Sequence, residues 1–199
     1  MAGTASSHAV GHPQIVLVRH GETEWSANGR HTSHTDLPLT EAGRERARAL
    51  ASVLADRRFS LVLCSPLRRA RETCELAGFG GVAALCDDLR EWDYGEYEGL
   101  TTPEIRAQNP QWNLWRDGCP GGELPADVAR RADRALQWLR DAGGDALAFA
   151  HGHLLRVLSA RWIRMEPAAG ARFALKAGAV CVLGYERETE VIAGWNTTL

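Results

Sequence analysis

Arginine and histidine residues occur together at three points that are far apart in the sequence. They are Arg19 and His20 near the N-terminus, Arg68 and Arg69 in the first half, and His151 in the second half. Guanidinium groups bind phosphate oxygens through paired hydrogen bonds, and clustered cations repel one another unless an anion lies between them. If the fold brings these side chains together, they form a pocket for a small dianion such as a phosphate ester.

Each of these points follows a short apolar segment. The segments are Ile15–Val18, Leu61–Cys64 and Ala146–Ala150. Continuous apolar runs of this length are typical of strands that are buried on both faces of a parallel sheet. Ligands of such sheets bind beyond the carboxyl ends of the strands. The pattern therefore predicts that the arginines and histidines meet at one end of the sheet.

Helical patterns lie between the predicted strands. Thr40 is a candidate N-cap, and Gly43, Ala47, Leu50 and Leu54 follow it at helical spacing. Three further helices are predicted to begin near Pro66, Pro125 and His153. Alternating strands and helices predict an α/β fold with three layers (α/β/α), in which a mostly parallel central sheet has helices on both faces.

The remaining strand signals and the N-terminus define the expected domain. Val82–Cys86 is a weaker strand candidate, whereas Ala179–Tyr185 and Val191–Trp195 are predicted to pair around a charged turn at Glu186–Glu190. The first 14 residues have neither the basic region nor the apolar core of a signal peptide, and we expect a flexible tail there. Residues 15–199 would then form a single domain.

Composition excludes several classes of function. The 23 basic and 25 acidic residues leave a net charge of −2, which argues against a nucleic-acid binder or a polybasic membrane anchor. All the basic residues are arginine except Lys176. The five cysteines are scattered and include no CxxC pair, so we expect free thiols in a reducing cytoplasm rather than disulfides or a zinc site.

Four motifs follow one another through residues 17–152. They are Leu17-Val18-Arg19-His20-Gly21-Glu22-Thr23, Ser65-Pro66-Leu67-Arg68-Arg69-Ala70, Leu89-Arg90-Glu91 running on to Tyr94-Gly95, and His151-Gly152. In this order they resemble the motifs of the histidine phosphatase superfamily, which includes the cofactor-dependent phosphoglycerate mutases. The resemblance implies a phosphoglycerate mutase-like fold.

The resemblance also implies a role for each residue of the predicted pocket. His20 would attack phosphorus and form a phosphohistidine, while Arg19, Arg69 and His151 would hold the phosphate oxygens. Glu91 would protonate the leaving oxygen and later activate water. The chemistry of the side chains agrees, because a neutral imidazole is nucleophilic near pH 7 and arginines can stabilise phosphoryl transfer without a metal. No metal or cofactor is expected.

Three positions favour hydrolysis over the mutase reaction. Phosphoglycerate mutases carry a lysine, a pair of arginines and an asparagine where this chain has Thr102, Arg116-Asp117 and Ser26. These differences remove the groups that would hold a phosphoglycerate carboxylate. We therefore expect a metal-independent phosphomonoesterase of the histidine acid phosphatase type, and a phosphoglycerate mutase is the alternative.

A narrower resemblance concerns the substrate. The segments Arg90–Gly99, Trp115–Cys119 and His151–His153 are similar to those of sedoheptulose-1,7-bisphosphatases and broad acid phosphatases, which implies small sugar phosphates or bisphosphates as substrates. The residues expected to contact the substrate are Arg19, Ser26, Thr32, Ser33, Arg69, Glu91, Gly152 and His153. Trp92, Trp112 and Trp115 are candidates either for a wall of the pocket or for core packing.

Other interpretations of the sequence predict different chemistry. Cys181 and Arg187 have the Cys-x5-Arg spacing of cysteine phosphatases, but Glu186 between them would repel phosphate. A metal hydrolase would use the histidines His31, His34, His151 and His153. A non-catalytic phosphate-binding module would be expected to lack His20 or Glu91, and both are present. The expected partner is a small phosphate ester, with neither nucleic acid nor membrane involved.

Overall fold

Six strands form one sheet in a computed structural model that describes residues 12–198. The strands are β1 (Ile15–Arg19), β2 (Leu61–Cys64), β3 (Ala84–Leu85), β4 (Ala146–Ala150), β5 (Val180–Glu186) and β6 (Thr189–Thr197). Their order across the sheet is β3-β2-β4-β1-β5-β6. β4 pairs in parallel with both β1 and β2, so the carboxyl ends of these three strands lie side by side. The mostly parallel sheet is confirmed.

Seven α-helices connect and flank the strands in the described part of the chain. They are α1 (Glu24–Asn28), α2 (Glu41–Leu54), α3 (Arg68–Leu76), α4 (Thr102–Gln108), α5 (Leu114–Asp117), α6 (Pro125–Arg140) and α7 (Gly152–Trp162). Short 3-10 helices cover Asp87–Leu89, Gly95–Tyr97 and Pro167–Arg172. No helix within residues 12–198 combines the length and the apolar character needed to cross a membrane.

The sheet separates two apolar cores. Along β1, Ile15 and Leu17 belong to the core that contains residues of α6 and α7, whereas Val16 and Val18 belong to the core that contains residues of α2 and α3. This alternation is the period of two that strand geometry imposes. All four side chains are at most 3% exposed, and burial of such a side chain contributes about 1.5–3 kcal/mol. The predicted three-layer arrangement is confirmed.

Helix α2 packs closely on the segment that follows β1. The Thr40 hydroxyl accepts a hydrogen bond from the Gly43 N–H at 3.0 Å, as expected of an N-cap. A Cβ at Gly43 would lie 2.3 Å from the Glu22 carbonyl oxygen, so only glycine permits this approach. The helix therefore has a fixed position relative to His20 and its neighbours.

Several element boundaries differ from the predictions. The charged turn expected at Glu186–Glu190 is shorter, because β5 extends to Glu186 and β6 begins at Thr189. The Val82–Cys86 candidate is reduced to two residues at the edge of the sheet, where Val82 and Leu85 are exposed. Helix α3 begins at Arg68 and not at Pro66, because Leu67 has an extended backbone conformation. Helix α7 ends at Trp162, two residues before Arg164, whose backbone is left-handed.

The last residues of the predicted tail contact the sheet. The ring of His12 lies 4.7 Å from that of Tyr185, and the Gln14 N–H donates to the Asp145 carboxylate at 2.8 Å. The Gln14 carbonyl in turn accepts from the Ala146 N–H at 2.9 Å. His12 and Gln14 therefore pack against the described fold, and residues 1–11 of the predicted tail lie outside the described residues.

Candidate active site

Hydrogen bonds between neighbouring strand ends bring the predicted catalytic residues together. The His20 N–H donates to the Ala150 carbonyl at 3.0 Å, and the Ser65 N–H donates to the Phe149 carbonyl at 2.9 Å. The residues that follow β1, β2 and β4 consequently meet at one place. The imidazole rings of His20 and His151 lie 5.1 Å apart, measured between centroids.

The imidazole of His20 has a defined orientation and a defined charge. Its Nδ1 lies 2.7 Å from the Gly21 carbonyl oxygen. Because a carbonyl can only accept a hydrogen bond, Nδ1 carries the proton, and the lone pair of a neutral ring is on Nε2. Burial, together with the positive charges of Arg69 and Arg19, holds the pKa of His20 well below its ordinary value. The ring is therefore neutral and nucleophilic near pH 7.

Two buried guanidinium groups flank this histidine. Arg19 donates through Nη1 to the Leu175 carbonyl at 2.5 Å, and Arg69 donates through Nη2 to the Thr32 carbonyl at 3.0 Å. The Nε of each is buried without a hydrogen-bond partner among residues 12–198. Burial lowers the pKa of both guanidinium groups, whereas the nearby Glu91 raises it. Both arginines therefore keep donor capacity for an anion.

His151 is oriented by a serine at the end of β2. Its Nε2 lies 2.7 Å from Ser65 Oγ, and its Nδ1 is buried without a partner among the described residues. Ser65 Oγ also accepts the Leu67 N–H at 3.4 Å. If the Ser65 hydroxyl donates to Nε2, the neutral ring carries its proton on Nδ1 and offers it as a further donor to phosphate. The pKa of His151 is lowered well below its ordinary value, chiefly by burial and then by Arg69.

The carboxylate of Glu91 lies at the N-terminus of helix α7. Oε1 accepts the backbone N–H groups of Trp92 and Leu154, both at 2.9 Å, and Oε2 accepts that of His153 at 3.1 Å. The side chain is only 6% exposed and lines the cavity that contains His20. Two N–H groups at a helix start satisfy this acid, and Oε2 keeps a free lone pair for proton exchange.

A cavity of about 200 Å³ opens from His20. It extends past the ring of His153, whose Nδ1 lies 2.6 Å from the Tyr94 hydroxyl. The rings of His31 and His153 lie parallel with 6.0 Å between their centroids. Most lining groups are hydroxyls, imidazoles and guanidinium groups. The lining residues are Arg19, His20, Thr23, Ser26, Gly29, Arg30, His31, Thr32, Glu91, Tyr94, Thr102 and His153.

Comparison with known proteins identifies the family. The model of the histidine phosphatase superfamily (branch 1) matches residues 15–198. This chain belongs to the histidine phosphatase superfamily. An acid phosphatase of Mycobacterium tuberculosis is 41% identical over 184 residues, which are 90% of each chain. The sedoheptulose 1,7-bisphosphatase of Saccharomyces cerevisiae is 36% identical over 182 residues, which cover 75% of this chain and 67% of the yeast protein.

A solved structure agrees with this assignment. The product of the Mycobacterium tuberculosis open reading frame Rv3214 is 40% identical and superposes with a TM-score of 0.89. The superposition covers 94% of this chain and 98% of that protein. The phosphoglycerate mutase-like fold expected from the sequence is therefore confirmed.

In this member of the histidine phosphatase superfamily, Arg68 and Arg69 have different surroundings. Arg69 is fully buried beside His20 and holds the loop that contains Thr32. Arg68 is exposed and pairs with Glu72 at 2.8 Å. Of these two arginines, only Arg69 is buried next to His20, as the effect of its charge on the pKa of His20 also indicates.

The structure separates the residues that were expected to contact substrate into two groups. Ser26, Thr32 and His153 line the cavity. Ser33 instead lines a separate cavity, which Glu91 also lines, and its backbone N–H donates to the Glu98 carboxylate at 2.9 Å. Gly152 is buried at the first residue of α7, where a Cβ would lie 3.2 Å from Arg19 Cζ. Its place in the fold makes room for that guanidinium.

The tryptophans belong to the core and its rim. Trp92 and Trp112 are 0% and 3% exposed, and their indole N–H groups donate to the carbonyls of Glu123 and Gly118. Arg156 Cζ lies 4.5 Å from the centre of the Trp115 ring. The cavity is walled instead by Tyr94, His153 and other polar groups.

Several residues of the cavity were not expected from the sequence to contact substrate. Arg30 and His31 precede the Thr32-Ser33 pair that was singled out, and Tyr94 lies inside a quoted motif. Their positions depend on contacts between distant loops. The backbone of Arg30 bridges that of Thr101, and the His31 N–H donates to the Leu100 carbonyl at 2.9 Å. The sequence signal that could have identified Arg30 and His31 as cavity residues is their position next to the Thr32-Ser33 pair.

The competing interpretations find little support in the geometry. Burial raises the pKa of the Cys181 thiol to about 11, so this cysteine is a poor nucleophile. The candidate metal ligand His34 is exposed and pairs with Asp93 at 3.1 Å. Within residues 12–198, no group of three or more histidine, cysteine or acidic side chains is arranged to hold a metal ion.

Proposed function

We propose that this chain hydrolyses phosphomonoesters of small phosphorylated metabolites through a phosphohistidine intermediate at His20, with no metal. The observation that carries the proposal is the neutral imidazole of His20, with a free lone pair on Nε2, beside two buried arginines whose Nε atoms have no hydrogen-bond partner within residues 12–198. Buried cations that form no salt bridge favour an anionic ligand. A phosphate group supplies the missing charge and the missing acceptors.

Phosphate binding depends on donors that are already in position. The phosphoryl oxygens accept hydrogen bonds from Arg19, Arg69 and the Nδ1 proton of His151. These groups are buried and held by other contacts, so little reorganisation accompanies binding. Fixed donors of this kind stabilise developing charge, and the loss of one typically costs about 3–4 kcal/mol of transition-state stabilisation.

The reaction then takes place in two steps. In the first, His20 Nε2 forms a bond to phosphorus while the bond to the ester oxygen breaks, and that oxygen takes a proton from Glu91. In the second, water attacks the phosphohistidine as Glu91 removes its proton, and the N–P bond breaks to release inorganic phosphate. Positioning and charge stabilisation account for such a reaction without a metal.

Hydrolysis is favoured over the mutase reaction by the charges around the cavity. Thr102 lines the cavity at the position of the mutase lysine and has no charge. Arg116, at the position of the mutase arginine pair, is exposed and its charge is balanced by Asp117 at 2.7 Å. These two observations support the interpretation from the sequence that the groups that would bind a phosphoglycerate carboxylate are missing.

We propose sugar phosphates or bisphosphates as the substrate class. The cavity beyond His20 presents hydroxyl groups of Thr23, Ser26 and Thr102 and the imidazole of His153. Such groups pair with the hydroxyls of a sugar. The similarity to an acid phosphatase and to a sedoheptulose bisphosphatase supports the same class.

A reducing compartment suits the cysteines of this enzyme. All five are free thiols, and four of them are buried. Because disulfides are rare in reducing compartments, we propose that the protein acts in the cytoplasm.

The proposal is tested by steady-state hydrolysis of p-nitrophenyl phosphate in excess chelator. We expect turnover by the wild-type protein, undiminished by chelator, and a loss of at least about 1000-fold in kcat for His20→Ala. His34→Gln is the matched control, because it removes an exposed histidine outside the His20 cavity. It should retain wild-type kcat.

Four other outcomes would contradict the proposal. Activity that requires a metal would support the metal hydrolase, and full activity in His20→Ala would exclude the histidine mechanism. Phosphoglycerate interconversion faster than hydrolysis would support the mutase. Tight phosphate binding with no turnover of any phosphate ester would identify a non-catalytic module.

A further inference from the structure

A second cavity lies beside the one that contains His20. Its volume is about 470 Å³, and the two cavities share Arg19 and Ser26 as lining residues. The other residues that line it take no part in the chemical steps described above. Those residues are Glu22, Ala27, Ala42, Arg46, Leu175, Lys176 and Ala177.

The charges of this second cavity are not balanced. Arg46 and Lys176 contribute two cations, and within residues 12–198 neither has a carboxylate within 4.0 Å. By contrast, Arg48 on the same helix pairs with Glu41 at 3.2 Å. The single acid of the cavity, Glu22, accepts a hydrogen bond from the Thr40 hydroxyl at 3.0 Å. With Arg19 included, the walls carry three positive charges and one negative charge.

The backbone that carries Lys176 is tied to the catalytic residues. The adjacent Leu175 carbonyl accepts from Arg19 Nη1 at 2.5 Å, and the Gly178 N–H donates to the His20 carbonyl at 2.9 Å. The Lys176 N–H itself donates to Asn196 Oδ1 at 2.8 Å. The start of the lysine side chain therefore has a fixed position relative to the phosphate site.

Arg46 reaches the same loop from helix α2. Its Nη1 donates to the Ala177 carbonyl at 3.3 Å, and its stem covers Gly178 so closely that a Cβ there would lie 2.4 Å from Arg46 Cδ. Because Gly178 has a φ of +70°, both its conformation and this contact favour glycine. Arg46 and Lys176 thus line the same cavity.

We propose that this second cavity binds the distal phosphate of a bisphosphate substrate whose other phosphate lies at His20. This inference rests on the proposed function and narrows its substrate class. A doubly charged phosphate matches two cations that lack carboxylate partners, and an arginine offers it a paired donor. Arg19, which lines both cavities, lies between the two phosphates and contributes to both sites.

The test compares ligands that differ by one phosphate. Binding of fructose 1,6-bisphosphate, fructose 1-phosphate, fructose 6-phosphate and inorganic phosphate is measured by calorimetry on a His20→Ala background, where no turnover occurs. We expect the bisphosphate to bind at least about 10-fold more tightly than either monophosphate. The added double substitution Arg46→Gln with Lys176→Gln should reduce this preference to about 1-fold.

Arg48→Gln is the matched control, because it removes a charge from the same helix outside the cavity. It should retain the preference for the bisphosphate. In the protein with His20 intact, the double substitution should raise KM for the bisphosphate and leave the ratio of the two monophosphates unchanged.

The following results would contradict the proposed subsite. A preference that survives the double substitution would place the distal phosphate elsewhere, and an equal loss for all ligands would assign these residues to support of Arg19. Two bound inorganic phosphates without any preference for the bisphosphate would indicate a site for a free anion. Failure of the proposed function is distinguishable, because it abolishes hydrolysis of every ester while the binding comparison remains measurable.

Discussion

At the scale of single residues, the proposed catalysis depends on which atom of each histidine carries a proton. The Gly21 carbonyl fixes the proton of His20 on Nδ1, and Ser65 is placed to fix that of His151. Neither contact could be predicted from the sequence. The motifs supplied the residue types, but the orientation of each ring depends on a carbonyl or a hydroxyl that the fold brings to it.

We predict that Ser65→Ala reduces kcat about 10-fold. Without the hydroxyl, His151 can adopt the tautomer that has no proton on Nδ1, and the phosphate loses a donor worth about 1.4 kcal/mol. Ser159→Ala is the matched control, because Ser159 is equally buried but its hydroxyl has no partner among the described residues. A change in KM with an unaltered kcat in Ser65→Ala would contradict the positioning role of this serine.

The charge state of His20 gives a second prediction. Burial and the neighbouring Arg69 and Arg19 lower the pKa of His20, so its resonance should not titrate between pH 5.5 and 8. NMR of histidine-labelled protein measures this, with the signal assigned by its loss in His20→Ala. A midpoint for His20 near its ordinary pKa of about 6.5 would show that the ring is solvated.

At the scale of secondary-structure elements, strand ends and helix starts assemble the site. The strands β1, β2 and β4 were predictable because their apolar runs are continuous, and helix α2 was predictable from its cap and its spacing. The loops that complete the cavity were not predictable in the same way. Their placement depends on pairings such as that of Arg30 with Thr101, which have no local sequence signal.

A substitution at the start of helix α7 should weaken phosphate binding without destabilising the fold. Gly152→Ala should not destabilise the fold, because alanine is favoured over glycine in helices by about 0.5–1 kcal/mol. Its Cβ would nevertheless press on Arg19 Cζ at 3.2 Å and displace the guanidinium. We expect the inhibition constant of inorganic phosphate to rise about 10-fold.

Gly81→Ala is the control for this substitution, because a Cβ at Gly81 meets open space. It should change neither the inhibition constant nor the melting temperature. Wild-type phosphate affinity in Gly152→Ala would mean that Arg19 is not held where the phosphate binds.

At the scale of the whole molecule, function is built at some cost to stability. Three histidines, His20, His151 and His153, have pKa values well below their ordinary range, in each case chiefly because of burial. In the unfolded chain they bind protons below about pH 6.5, whereas in the folded protein they stay neutral to much lower pH. The unfolded state therefore gains protons first as the pH falls.

We predict that the free energy of unfolding decreases as the pH falls below about 6.5. Each buried histidine adds a slope of up to about 1.4 kcal/mol per pH unit, so the three together add up to about 4 kcal/mol per unit. Urea denaturation at pH 7.5, 6.5 and 5.5 measures the effect. The slope should become smaller in His20→Ala, and a flat profile over this interval would show that these rings are accessible to protons.

The central claim is that phosphate is transferred to His20, and rapid-quench labelling tests it most directly. The protein is mixed with a phosphomonoester, quenched in alkali within one turnover, and mapped by mass spectrometry of its peptides. We expect a phosphate on the peptide that contains His20. This phosphate should be stable in alkali, lost in acid and absent from His20→Ala. Turnover without a phosphorylated protein, or with phosphate on any other residue, would contradict it.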